Sequence, residues 1–221
     1  MPTYRRAIND EQRAERRQTL LDIAWALFKE SDFDQINVLD ITNQAGLAKG
    51  TFYLYFKSKE ELYLAVTRKQ FLIWIDHLQK ELSALESPVE ATRAAKMICQ
   101  SLQEQPGLVR LLGILHVILE RNLDAATARE FKYFLLEKIQ SIGLQLEASL
   151  PVLYPGQGAQ LAMSVYTIIL GLEQMSNPTP IIKQIIADDP GLAPFNINFE
   201  AYCCEMLQTY FQGITLRNVQ E

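Results

Sequence analysis

Residues 49–59 hold cations, hydroxyls and aromatic rings at close spacing: Lys49, Gly50, Thr51, Phe52, Tyr53, Leu54, Tyr55, Phe56 and Lys59. Such side chains grip rather than make or break bonds. Lys49 and Thr51 can donate to base edges or to phosphate oxygens, Gly50 lets a backbone come close, and the phenols of Tyr53 and Tyr55 suit phosphate. Leu54 can touch a thymine methyl group or face away from the bases. Phe52 and Phe56 read as packing residues. A bond-making site has no comparable signature, because the chain lacks a glycine-rich phosphate loop, a metal cluster and a nucleophile paired with a base. Its two histidines and three cysteines fall in no CxxC or HExxH pattern. No enzyme, cofactor or zinc site is therefore expected.

These residues need elements to hold them, and the hydrophobic pattern supplies helices. Leu20, Ile23, Ala24, Leu27 and Phe28 recur every three or four residues, which predicts an amphipathic helix over 11–29. After a loop at 31–35, Asn37 can cap a short helix with Asp40 in its first turn, and Ile36 and Ile41 have the spacing of a hydrophobic staple. Ala45-Gly46 ends that helix, and another begins at Lys49. Segments 38–45 and 49–56 thus form a helix-turn-helix, whose second helix fits the major groove of DNA. From the preceding helix Asn37, Val38 and Thr42 can add phosphate or base contacts. Ser58 and Glu61 form a capping box for a fourth helix reaching about residue 85.

The pattern DIT-x-x-AG-x-x-KGTFY-x-YF-x-SKEEL within residues 36–62 resembles the N-terminal signature of the TetR family of bacterial transcriptional regulators. Thr42 stands where that family usually has alanine, and Ala48 where a serine or threonine often caps the recognition helix. The resemblance implies an all-α fold, with a three-helix DNA-binding domain over 1–57 and a larger helical effector-binding and dimerisation domain over 58–221. It implies a homodimer on near-palindromic double-stranded operator DNA, usually as a repressor, released by a small-molecule effector. It also gives Lys59 the role of holding backbone phosphate. The alternative class is an interaction protein that keeps the fold but has lost DNA binding, a reading that Ala48 and Leu54 favour and Lys49, Thr51, Tyr53, Tyr55 and Lys59 oppose.

Beyond the signature, helices are expected over 89–105, 108–122, 125–150, 159–175 and 199–216, with a Pro/Gly-rich turn at 151–158 and a proline-rich connection at 177–194. The resemblance implies dimerisation through a four-helix bundle of the last two long helices, which makes Leu161, Val165, Ile168, Ile169 and Leu172, with Tyr202, Met206, Tyr210 and Phe211, candidate interface residues. The resemblance also implies a pocket among the central helices, with candidates Trp74, His77, Met97, Leu112 and His116, then Phe131, Phe134, Met163, Tyr166 and Glu173. With few charges among them, a small apolar or aromatic effector is expected.

Charge divides unevenly. Residues 1–70 carry a net +1 and residues 71–221 a net −6, within a total of −5. Arg5, Arg6, Arg13, Arg16 and Arg17 form a basic arm, read either as a tail that meets phosphate or a minor groove or as solvated disorder. The arm has no apolar run of a secretory signal, and Pro151, Pro155, Gly156 and Gly158 interrupt the longest uncharged stretch, so a cytoplasmic protein without a membrane span is expected. Cys203 and Cys204 invite a redox-sensing reading, but they point about 100° apart on a helix and do not suit a bond to each other, and no basic neighbour activates them, so small apolar packing is the favoured reading.

Overall fold

The computed structural model describes residues 2–85 and 88–220, with side chains from Asp10 onward. Arg5 and Arg6 of the basic arm thus have side chains outside the described residues. All regular structure among the described residues is helical, and the chain forms two compact units. The first comprises residues 1–70 and 114–125, the second residues 71–113 and 126–221. The division therefore falls inside the fourth helix rather than before it.

In the first unit, α1 (Pro2–Glu30) starts well before the expected boundary. Its first half lacks glycine and is rich in Ala, Glu, Gln and Arg, all good helix formers, so the basic arm continues as helix instead of an irregular tail. The inner stripe Leu20, Ala24 and Phe28 is fully buried. Asn37 caps α2 (Val38–Gln44): its Oδ1 accepts from the amides of Leu39 and Asp40 at 2.9 and 3.0 Å, while Asp40 accepts from the Asn37 amide at 2.9 Å. Gly46, at φ +64°, turns the chain out of α2 in the left-handed conformation that favours glycine.

The next helix, α3, spans only Lys49–Phe52, half of the expected 49–56. No side chain caps it at Ala48, and it gives way to tight turns in which Leu54 and Tyr55 donate to carbonyls three residues back. Those turns let Phe52 and Phe56 both point inward, with ring centres 5.8 Å apart. The fourth helix, α4 (Lys59–Ala84), begins as expected: Ser58 Oγ accepts from the Glu61 amide at 3.1 Å, and the Glu61 carboxylate takes the Lys57 amide. Tyr63 donates to the Ala24 carbonyl at 3.0 Å and packs against Phe28 and Phe33, which closes the core beneath the turn.

The second unit holds the rest of α4, then α5 (Ala91–Gln103), most of α6 (Pro106–Leu115), α7 (Ala125–Ser149), α8 (Gln157–Ser176), α9 (Pro180–Asp188) and α10 (Phe199–Gln220). The helix expected over 108–122 stops at Leu115, because Ile118, at φ −124° and ψ −61°, leaves helical geometry before a 3-10 turn at Leu119–Asn122. The segment expected as a connection holds α9. Its signal is Pro180 in the first turn, where a missing amide costs no hydrogen bond.

α7 and α8 cross backbone to backbone. A Cβ on Gly158 would lie 2.0 Å from the Gly143 carbonyl oxygen, so the crossing exists only because both positions are glycine. Glu147 secures it by accepting from the amides of Gly156 and Gly158, both at 2.8 Å, at the positive end of α8. α10 packs along α5 and α8. Its far end is anchored by Asn218, which donates to the Val152 carbonyl at 2.9 Å and to Gln157 at 2.6 Å. A disulfide between Cys99 and Cys204 joins α5 to α10, a pairing that adjacency drew attention away from; Cys203 is free and buried.

Candidate functional site

The helix-turn-helix presents its chemistry at one end of the first unit. Phe52, Phe56 and Ile41 are buried, while Lys49 and Gly50 are exposed, Tyr53 is 52% exposed and Leu54 68% exposed. Thr51, Tyr55 and Val38 are half-buried. An apolar side chain as exposed as Leu54 is stranded in water unless something covers it, and the alternation around it leaves Lys49, Gly50, Tyr53 and Leu54 on the outer side. The candidate contact surface is thus split between α3 and the turn after it.

α1 adds to this surface. Arg13 Nη2 donates to the Leu54 carbonyl at 3.3 Å, and the Arg17 guanidinium lies 4.9 Å from the centre of the Phe56 ring. Gln12, Arg13, Arg16, Leu54 and Tyr55 line a cleft of about 370 Å³. The arginines read from sequence as a basic arm, without their place beside the recognition turn. Arginines spaced three residues apart share one helix face, and that spacing was the available signal.

Two expected contact residues have other work. Thr42 is fully buried, and its hydroxyl donates to the carbonyls of Val38 and Leu39 at 3.0 and 3.2 Å, so it holds α2 from within. Lys59 turns inward: Nζ donates to the carbonyls of Phe33 and Ile36, both at 2.7 Å, and lies 3.8 Å from the centre of the Phe33 ring. Partial burial lowers its pKa, against the pull of Asp34 and Glu60. Its ammonium closes the loop before α2 rather than reaching for phosphate. Asn37 is exposed but its Oδ1 is committed to the cap.

In the second unit a narrow apolar cavity of about 30 Å³ lies among four helices. Phe71, Trp74, Ile75 and Leu78 of α4 form one wall, Ile98 comes from α5, and Ile139, Ile142 and Leu146 of α7 face Ala162, Val165, Tyr166 and Ile169 of α8. Lys138 is the charged residue of the lining, its Nζ 2.9 Å from Glu137. The lining spans successive turns of three long helices, so the space is slender.

Of the expected pocket residues, Trp74 and Tyr166 line this cavity. Phe131 and Phe134 pack behind it, Phe134 meeting Phe71 edge to face. Leu112 is fully buried elsewhere, Met97 is half-buried, and Met163 is exposed. His77 pairs with Glu81 at 3.6 Å on the surface, and His116 belongs to the first unit, where it faces Glu120 at 3.1 Å. Glu173 is buried against Gly113, where a Cβ would collide with the carboxylate. Burial raises its pKa, opposed by hydrogen bonds from Asn177 and Gln174 and by the charge of Arg110.

The candidate interface residues divide similarly. Leu161, Val165, Ile169, Leu172 and Phe211 are buried in the chain's own core, Val165 and Ile169 around the cavity. Tyr202 and Met206 are exposed on α10, while Ile168 and Tyr210 are half-buried, Tyr210 donating to Ser164 at 2.9 Å. An all-round apolar helix does not disclose in its sequence which side meets its own chain, which is why the expected interface reaches the inner residues of α8. Among the described residues there is no group of three or more metal-binding side chains, and no helix long and apolar enough to cross a membrane.

Comparison with known proteins agrees with this arrangement. Residues 20–66 match the family described as bacterial regulatory proteins, tetR family, and residues 69–218 match the tetracyclin repressor-like C-terminal domain. The chain is 25% identical over 143 residues to the fatty acid metabolism regulator protein of Bacillus subtilis, a match covering 65% of this chain and 66% of that one. It is 38% identical over 80 residues to the transcriptional repressor KstR2 of Mycolicibacterium smegmatis, covering 36% of this chain and 38% of that one. The chain thus spans less than two thirds of these curated relatives. The solved structure of the fatty acid degradation regulator FadR from Bacillus halodurans shares the fold, with a TM-score of 0.56, 14% identity and coverage of 87% and 94% of the two chains. With its reading head matched by one model and over half its length by the other, the chain belongs to the TetR family of bacterial transcriptional regulators, which are DNA-binding proteins and not enzymes.

Proposed function

We propose that this regulator is a cytoplasmic repressor that binds a near-palindromic operator as a homodimer and leaves it when a slender apolar effector enters the second unit. The observation that carries the reading is the exposed set Lys49, Gly50, Tyr53 and Leu54 above a sealed aromatic core. One such head reads one half-site, and a two-fold pair of heads reads two half-sites in successive turns of the duplex. Exposed Tyr202 and Met206 on α10, with Ile168 on α8, supply apolar surface suited to a second copy.

The cavity favours a chain-shaped effector. It is walled by aliphatic and aromatic side chains and bordered by Lys138, whose ammonium pairs with Glu137. About 30 Å³ admits little more than one water molecule, so binding has to part the four helices that line it, and on this reading that movement releases the DNA. A long-chain acyl compound fits these demands, in keeping with a relative named as a regulator of fatty acid metabolism.

The test is selection of duplexes from a random DNA pool by the purified protein, followed by sequencing. A motif with two matching inverted half-sites is the expected result. A folded protein that selects no motif would move the interaction-protein reading to first place. With the operator in hand, palmitoyl-coenzyme A should weaken DNA binding, and operator should weaken binding of palmitoyl-coenzyme A by the same factor.

A further inference from the structure

Cys99 and Cys204 come from helices 105 residues apart in sequence, yet their Cα atoms lie 5.4 Å apart, within the range a disulfide requires. The two sulfurs are unequal. Cys99 is buried on α5 and Cys204 is half-buried on α10, so an oxidant in solution meets Cys204 first. Gln103 Nε2 lies 3.9 Å from each sulfur and offers a weak donor to a thiolate. In the compartment where a DNA-binding regulator works, thiols are kept reduced, so a bond here is formed on demand and not as a permanent staple.

We infer that Cys99 and Cys204 are a peroxide-responsive thiol pair whose reversible disulfide clamps α5 to α10 and stiffens the wall of the apolar cavity. The Cys204 thiolate attacks one oxygen of hydrogen peroxide and breaks the O–O bond; with the thiol proton, the departing hydroxide becomes water and the sulfur becomes a sulfenic acid. The Cys99 sulfur then attacks the sulfenic sulfur, its proton leaves with the hydroxyl as a second water, and the S–S bond closes. Two thiols are oxidised and one peroxide is reduced. A dithiol reductant reverses the step by exchange.

The consequence follows from what α5 carries. Ile98, beside Cys99, lines the cavity, and Ser101 on the same helix accepts from Nε1 of Trp74, another lining residue, at 2.9 Å. Pinning α5 to α10 therefore restrains two pieces of the wall that must yield before the cavity admits a ligand. Cys203 is the internal control. It is buried, and burial pushes its thiol up to about 11, so at neutral pH it holds almost no thiolate.

The test uses the full chain and no ligand, so it stands apart from the choice of effector. Protein reduced with dithiothreitol is treated with hydrogen peroxide, alkylated with iodoacetamide in denaturant and mapped by mass spectrometry. The expected product links the Cys99 and Cys204 peptides and carries alkyl only on Cys203; dithiothreitol restores all three thiols. Amide hydrogen exchange over α5 should slow by about tenfold or more in the oxidised protein, within the range a crosslink contributes, and should not respond to peroxide in Cys204→Ser or Cys99→Ser. Persistence of three thiols after peroxide, a bond involving Cys203, or equal exchange of α5 in both states would each overturn the inference.

Discussion

The two units solve opposite problems with the same kind of helix. The first has its chemistry on the outside: residues 49–55 are neighbours in sequence, and Phe28, Phe33, Phe52, Phe56 and Tyr63 are sealed beneath them. The second has its apolar site on the inside, assembled from Phe71 to Ile169 across four helices. A reader of DNA needs fixed spacing between donors, which a close-packed aromatic core provides. A unit that senses a ligand, as we propose for the second, needs slack, and a slot between long helices offers it. The difference is testable as stiffness in one unit and tolerance in the other.

The largest expected effect is in the reading head. Phe52→Ala removes a fully buried ring that packs on Phe56 and Tyr53, and should cost about 3–5 kcal/mol. Operator binding should vanish with it. Retention of operator affinity in this variant, measured by fluorescence anisotropy, would show that the recognition turn does not depend on the core below it.

In the second unit the comparable weak point is a backbone crossing. Gly158→Ala drives a methyl group into the Gly143 carbonyl and the stem of Glu147, and backbone on backbone has little room to yield. A loss of about 3 kcal/mol is expected, the upper end for overpacking, read from urea unfolding. A loss well below this would mean that α7 and α8 slide apart easily, and that the second unit is even more deformable than its cavity suggests.

Sequence disclosed these units unequally, for a physical reason. The helix-turn-helix is local, so its cap at Asn37, its turn at Gly46 and its box at Ser58 and Glu61 could be read directly from residue type and spacing. What local pattern could not show was direction. Thr42 and Lys59 have side chains suited to phosphate, but one donates into its own helix and the other into the carbonyls of Phe33 and Ile36. The cavity was less legible still. Trp74 and Tyr166 were found as aromatic residues on central helices, whereas Val165 and Ile169 were placed on a partner surface, because helical period gives a face and not what the face meets. α9 is hidden because the prolines of 177–194 read as a connection, whereas Pro180 stands at a helix start.

Lys59 sharpens the distinction between holding a head together and touching DNA. Lys59→Met deletes two short charge-assisted hydrogen bonds and should cost about 2 kcal/mol of stability. Its operator affinity should keep the wild-type dependence on salt, whereas Lys49→Ala should reduce the slope by about one phosphate contact, near 0.9 on a logarithmic plot. A reduced slope for Lys59→Met would return that lysine to the phosphate backbone.

Tyr63 gives a smaller effect with a pH signature. Burial raises its pKa well above the ordinary value of 10.0, and its hydroxyl is donated to the Ala24 carbonyl. The neutral phenol is favoured in the folded state, so its contribution is intact below the unfolded pKa. It declines above about pH 10, as the unfolded chain gains by ionising. Tyr63→Phe should cost about 1 kcal/mol at neutral pH and flatten the alkaline decline. An unchanged decline in the variant would assign it to other groups.

The smallest change should have the opposite sign, and it tests the slack of the second unit directly. Ala162 lines the slot from α8, and valine there adds two methyl groups where about 30 Å³ stands open. Burying them gains about 0.8 kcal/mol each, from which the lower helix propensity of valine takes roughly 0.5. A net gain of about 1 kcal/mol should raise the melting midpoint by about 2–4 °C. The same methyl groups occupy space an apolar chain would enter, so the response of operator binding to palmitoyl-coenzyme A should weaken while operator affinity without it stays constant. Stabilisation with an undiminished response would put the effector elsewhere in the second unit, and destabilisation would mean that the slot is already as tightly fitted as the core under Phe52.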